Sequence, residues 1–142
     1  MKRTFLLLLA ILLCSAAGAQ QRFSCDFKMV DNASGKTIAA GTGYVQGDCY
    51  RIETDWVQVW CNGKDRWIYS PGSDELVIET NDVSFLKDIT INRAEGDKAE
   101  VKYGDYTISL TKIKEVAEPW SGTFFIIDPD RFGENTIITD LR

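Results

Sequence analysis

Short segments of alternating apolar and polar residues, each ended by a turn, run through most of this chain and leave little room for helices. Phe23, Cys25, Phe27 and Met29 alternate with Ser24, Asp26 and Lys28, the two-residue period of a strand with one buried face. Turn residues recur at Ala33-Ser34-Gly35-Lys36, Gly47-Asp48, Asn62-Gly63 and Ser70-Pro71-Gly72-Ser73, where glycine, proline and Asx side chains favour reversal. Strands are predicted over residues 23–29, 37–46, 49–54, 56–61, 64–69, 74–80, 98–103, 106–114, 122–128 and 135–141. Between 81 and 89 the pattern loosens. Asn81 or Asp82 could cap one or two helical turns carrying Val83, Phe85, Leu86 and Ile89. Consecutive strands with short connections specify a mainly β domain built as one antiparallel meander.

The central hairpins can be taken to the level of register. Asn62-Gly63 read as a two-residue connection of the primed type pairs Cys61 with Lys64 and Gln58 with Trp67. Trp56, Trp60, Trp67 and Tyr69 then share one face. A three-residue loop at Thr54-Asp55-Trp56 pairs Arg51 with Val59 and Cys49 with Cys61. That register brings Tyr50 and Ile52 to the aromatic face and gathers Arg51, Glu53, Lys64 and Arg66 on the other. The aromatic face reads in two ways, as the filled core of a sheet or as a surface that holds a ligand. Cys49 opposite Cys61 is a spacing that a disulfide could close, with Cys25 left free beside Phe23 and Phe27; two separate thiols are the alternative.

The first residues address the chain rather than shape it. Lys2 and Arg3 precede an apolar run from Phe5 to Leu13, and Ala17-Gly18-Ala19 forms an A-x-A site. Residues 1–19 therefore read as a cleavable signal peptide, with the apolar run too short to span a bilayer. The mature domain is expected over 20–142, outside the cytoplasm and without a membrane anchor, Cys14 being lost with the leader. The whole chain has 16 basic and 21 acidic residues, and cleavage removes two of the bases. So acidic a domain, with no basic run, is unsuited to nucleic acid or anionic membranes. It contains no histidine, which excludes Ser-His and Cys-His pairs and histidine metal sites.

Three stretches resemble the LolA-type outer-membrane lipoprotein carriers and their LolB-like relatives. They are Phe23-Ser24-Cys25-Asp26-Phe27, the turn Asn32-Ala33-Ser34-Gly35 with Gly41-Thr42-Gly43, and the hairpin from Val59 through Asn62-Gly63-Lys64, Trp67 and Tyr69 to Pro71. The last is similar to the family's DGK-x-x-W-x-Y-x-P hairpin. The likeness covers about residues 22–80. It implies a strongly curved antiparallel sheet forming an incomplete half-barrel, with at most one short helix near 82–89, whose concave side holds acyl chains beneath a lid. Implied partners are lipid or lipoprotein acyl chains and the inner- and outer-membrane proteins that sort lipoproteins. The family's amphipathic helix before the first strand has no counterpart in Gln20-Gln21-Arg22, and the turn that often carries a lid-holding arginine is Gly47-Asp48 here.

The function expected on these grounds is a monomeric periplasmic lipid- or lipoprotein-binding protein, a carrier or chaperone, with no enzyme activity, metal or cofactor. Its ligand-binding residues would be Phe23, Phe27, Tyr50, Ile52, Trp56, Trp60, Trp67 and Tyr69, with Val83, Phe85, Leu86 and Ile89 as a lid. The alternative is a periplasmic interaction module with a filled sheet core. The pairs Asp74/Glu75 and Asp128/Asp130 flank turns, where aspartate is favoured for backbone reasons.

Overall fold

The computed structural model describes residues 22–81 and 90–142. The leader at 1–19 and the segment carrying Val83, Phe85, Leu86 and Ile89 lie outside the described residues. Ten strands follow in order: β1 (Arg22–Asp31), β2 (Thr37–Gln46), β3 (Cys49–Thr54), β4 (Gln58–Cys61), β5 (Asp65–Ser70), β6 (Glu75–Thr80), β7 (Thr90–Glu95), β8 (Lys98–Tyr103), β9 (Tyr106–Glu115) and β10 (Ile137–Asp140). They form one open sheet in the order β10-β6-β5-β4-β3-β2-β1-β9-β8-β7. The domain is mainly β, as its alternation dictates, and the sheet does not close into a barrel.

Two features depart from a simple meander. β7 is an addition to the predicted strands, because Thr90–Glu95 has one large apolar residue and no alternation to mark it. β10 pairs with β6 in parallel, not antiparallel. Parallel pairing requires a crossover, and residues 116–136 supply it by passing over one face of the sheet from the β9 side to the β6 edge.

The predicted strand at 122–128 is instead part of this crossover. Ser121 Oγ accepts from the Thr123 amide and opens a 3₁₀ helix over Gly122–Phe125. A second 3₁₀ turn occupies Pro129–Arg131.

The sheet bends at identifiable places. The β1–β9 ladder slips between Ser24 and Asp26, opposite Lys112 at φ 52°, and β1–β2 slips at Met29/Val30. Such bulges bend a strand and increase its twist. On β2, Gly41 meets β3 so closely that a Cβ there would collide with the Glu53 carbonyl oxygen. Only glycine permits that approach. The curl turns one face inward, and the apolar positions of that face form a single buried cluster drawn from β1–β6, β8 and β9.

Candidate functional site: the inner face of the sheet

The register of the hairpins decides which side chains share the inner face. The connection between β4 and β5 is Gly63-Lys64, one residue beyond Asn62-Gly63. Gly63 stands at φ 93°, Asn62 N–H donates to the Asp65 carbonyl, and the Asn62 Oδ1 accepts from the amides of Lys64 and Asp65. Trp60 therefore faces Trp67, and Cys61 faces Arg66. This slip is by two residues in pairing, so the faces of β4 and β5 relative to each other are as expected.

The connection between β3 and β4 corrects the remainder. Thr54 N–H donates to the Val57 carbonyl at 3.0 Å and Thr54 Oγ1 accepts from Val57 N–H at 3.0 Å. These bonds leave Asp55-Trp56 as a two-residue loop in place of the three-residue loop expected. The pairs become Arg51 with Trp60 and Tyr50 with Cys61. One residue of slip reverses the face: Tyr50 and Ile52 lie opposite to Trp60, Trp67 and Tyr69, while Arg51 joins the tryptophans. The eight expected ligand residues thus divide. Phe23, Phe27, Tyr50 and Ile52 are buried in the inner cluster and Trp56 packs against it. Trp60, Trp67 and Tyr69 belong to a separate cluster on the outer face with Leu76, Ile78, Ile127 and Phe132.

The same slip separates the expected cysteine pair. Cys49 pairs with Gln46 and Cys61 with Tyr50, and Cys25, Cys49 and Cys61 are all free thiols. Cys49 alternates to the outer side and Cys61 to the inner one, which removes the facing geometry a cross-strand bridge would use.

The outer aromatics are covered by the crossover. Trp120 is held by Gln46, whose Oε1 accepts from the Trp120 amide at 2.8 Å. Its ring stacks on Phe124 at 5.4 Å, and both meet Tyr44 edge-on. The Arg51 guanidinium lies 4.5 Å from the Phe124 ring and 5.7 Å from Trp60, a cation–π contact on both sides. Farther along, Ile127 is 2% exposed against the two tryptophans. Phe132 packs on Tyr69, and Asp74 Oδ1 accepts from both Tyr69 OH and Thr136 Oγ1 where β10 begins. The outer aromatic face is therefore a filled second core.

The inner face is different in kind. Its middle row runs Cys25, Gly43, Ile52, Val59, Ile68 and Val77 across β1 to β6, with no polar side chain except a thiol. Leu110, Ile108 and Val101 continue it on β9 and β8. The 3₁₀ turns lie on the other side, and the inner face is buried chiefly by its own curl, Ile52 and Val59 at 0% and Ile68 at 1% exposure within one cluster.

One end of it is polar. Tyr50, Cys61, Arg66 and Glu79 stand in one cross-strand row over β3 to β6. Arg66 is 3% exposed, the one buried charged residue among those described. Its Nε and Nη2 donate to Glu79 Oε1 at 3.2 and 3.0 Å, and Nη1 donates to Asn81 Oδ1 at 3.2 Å. Tyr50 OH donates to the same Asn81 oxygen at 3.0 Å. Burial pushes the Cys61 thiol up to about 11 and raises the Tyr50 phenol further. The expected register puts Arg66 opposite the aromatic residues together with Arg51 and Lys64, and the reversed face of β3 explains why this row is hidden in the sequence. Among the described residues no three His, Cys, Asp or Glu side chains are placed to hold a metal ion.

The sequence matches no protein-family model and no curated protein. The fold is similar to the crystal structure of an uncharacterized conserved protein from Thermus thermophilus. That likeness has a TM-score of 0.53 at 9% identity, over 97% of this chain and 99% of the other. At that identity it concerns the fold alone. Among the described residues, no helix is long and apolar enough to cross a membrane.

Proposed function

We propose that this protein binds acyl chains of a lipid or lipoprotein against the inner face of its curled sheet, as an exported carrier of the LolA type. The observation that supports this most is the inner row from Cys25 to Val77, apolar throughout on a curled sheet that does not close into a barrel. A sheet must bury such a face against something. Each methylene laid against it contributes about 0.8 kcal/mol, so a long chain binds there without charge recognition, and carriage requires no catalysis.

The signal-peptide pattern at 1–19 supports a periplasmic site of action, where such cargo moves between membranes. The ligand residues on this reading are Phe23, Phe27, Tyr50 and Ile52, with Trp56 beside them.

A second reading, an interaction module with a filled core, is favoured by the near-complete burial of Ile52, Val59 and Ile108. Native mass spectrometry of protein exported to a periplasm separates the two. The carrier reading expects co-purified lipid mass; bare polypeptide under several gentle conditions supports the filled core.

A further inference from the structure

The two edges of the sheet are finished differently. β7 closes one of them, with Arg93 and Glu95 in its sequence and a bulge between Ile91 and Arg93 in its ladder to β8. Charges and bulges keep an edge from pairing further. β10 closes the other edge with neither device. Ile137-Ile138-Thr139-Asp140-Leu141 contains no lysine or proline, and its ladder to β6 has no register shift. Ile137, Ile138 and Leu141 are three of the four large apolar residues left exposed among those described. The charge of Asp140 is neutralised by Arg142 at 2.7 Å.

The hydrogen bonds of β10 fix which of its backbone groups are spare. Ile137 N–H donates to the Asp74 carbonyl and Leu141 N–H to the Ile78 carbonyl, so the odd-numbered residues address β6. By alternation, the N–H and C=O of Ile138 and Asp140 point away from the sheet, and β10 has no other neighbouring strand among the described residues. The side chains of Ile137 and Thr139 stand level with Glu75 and Val77 on the inner side, and Leu141 follows them by alternation.

We propose that β10 pairs antiparallel with β10 of a second copy of this chain, joining two sheets about a twofold axis at Thr139. This departs from the monomer expected from the sequence. It does not rest on acyl binding. A closed twofold contact presents the same patch from both copies, and spare backbone groups must face spare groups, so the axis falls on Ile138, Thr139 or Asp140. On Ile138, it sets Asp140 against Thr136, whose amide already donates to Gly133. On Asp140, it sets like charges directly opposite, which is destabilising, and calls on the Arg142 amide, which donates to Asp140 Oδ1. On Thr139, Ile138 of each copy exchanges both backbone bonds with Asp140 of the other. Ile137 of each copy then packs on Leu141 of the other. The second copy supplies this whole pattern by symmetry.

The contact is small, below about 1,200 Å², so dimer and monomer exchange. Sedimentation velocity of the mature protein tests the pairing from about 10 μM to about 1 mM, the range in which so small a contact is populated. A monomer–dimer equilibrium is expected. Ile138→Pro removes a spare N–H and no bond to β6, a substitution an edge strand tolerates. It should weaken the dimer by at least about tenfold, because each copy loses one backbone bond to the other. Ile126→Lys, at the exposed apolar residue on the crossover rather than on β10, should leave the equilibrium unchanged.

The register is read by Thr139→Cys in a Cys49→Ser background, where Cys25 and Cys61 stay buried. The axis brings the two copies of residue 139 to a Cα separation of about 4.5 Å, within reach of a disulfide. Mild oxidation should therefore give a covalent dimer, whereas Ile138→Cys, displaced from its copy along the strand, should give none. A monomer at every concentration would overturn the proposal. So would a dimer indifferent to Ile138→Pro, or one that Thr139→Cys does not cross-link, since either places the contact elsewhere. Should Ile138→Pro fail to fold, the cross-linking result decides.

Discussion

Trp60 and Trp67 stand directly opposite each other on β4 and β5, on the face of the sheet away from Tyr50 and Ile52. This pair belongs to the covered outer side. The aromatic hairpin, which reads in the sequence either as a filled core or as a ligand surface, is the floor beneath the crossover from β9 to β10.

The first consequence concerns Ile127, which closes that floor at 2% exposure. Ile127→Ala removes a buried branched side chain and leaves a cavity over the tryptophans. The expected loss is about 2–5 kcal/mol in chemical denaturation, with a red shift of tryptophan emission as water reaches Trp60 and Trp67. A loss within error of zero would mean that the crossover does not seal the outer face.

Asp74 ties the start of β10 to the sheet. Its Oδ1 accepts from Tyr69 OH and Thr136 Oγ1, and its carbonyl accepts from the Ile137 amide. Asp74→Ala removes the two side-chain bonds, each contributing about 0.5–1.5 kcal/mol. Hydrogen exchange at Ile137–Asp140 should accelerate while the amides of β3 and β4 stay protected. Uniform acceleration throughout the sheet would instead show that β10 opens only with global unfolding.

The thiols give a pH dependence of definite sign. Burial pushes Cys25 from 9.0 to about 12 and Cys61 from 9.0 to about 11. The unfolded chain releases these protons at lower pH than the folded one, so their contribution is complete below about pH 9 and falls as pH rises toward the folded values. Each thiol should reduce stability by up to about 1.4 kcal/mol per pH unit across that interval. Urea midpoints of the native protein and Cys25→Ala, followed from neutral pH to about pH 11, should show a shallower decline in the variant. Parallel declines would contradict this assignment. In native protein at neutral pH the half-buried Cys49 should alkylate before either inner thiol.

Much of the fold was legible because it is local. The alternation in Phe23–Met29 and the turn residues at Gly47-Asp48 and Asn62-Gly63 located six strands in succession. The faces depended on finer chemistry. Shifting the β4–β5 turn by one residue changes the pairing by an even step and preserves the faces. The bonds from Thr54 to Val57 shorten the neighbouring loop by one residue, and that odd step reverses Tyr50, Ile52 and Arg51 together. No single side chain in Thr54-Asp55-Trp56 distinguishes the two loops; the reciprocal hydrogen bonds do. The crossover was not legible, because the apolar run Phe124–Ile127 has the composition of a strand. Its partners, Tyr44, Trp60 and Leu76, lie far away in sequence.

Quenching of tryptophan fluorescence by a dibrominated acyl methyl ester tests acyl binding to the inner face most directly. Of the four tryptophans, only Trp56 packs against the inner cluster, whereas Trp60, Trp67 and Trp120 lie on the outer side. Binding at the inner face predicts saturable quenching that disappears in Trp56→Phe and survives in Trp120→Phe. Absence of saturable quenching, or quenching that persists in Trp56→Phe and vanishes when Trp60 and Trp67 are replaced, would contradict it.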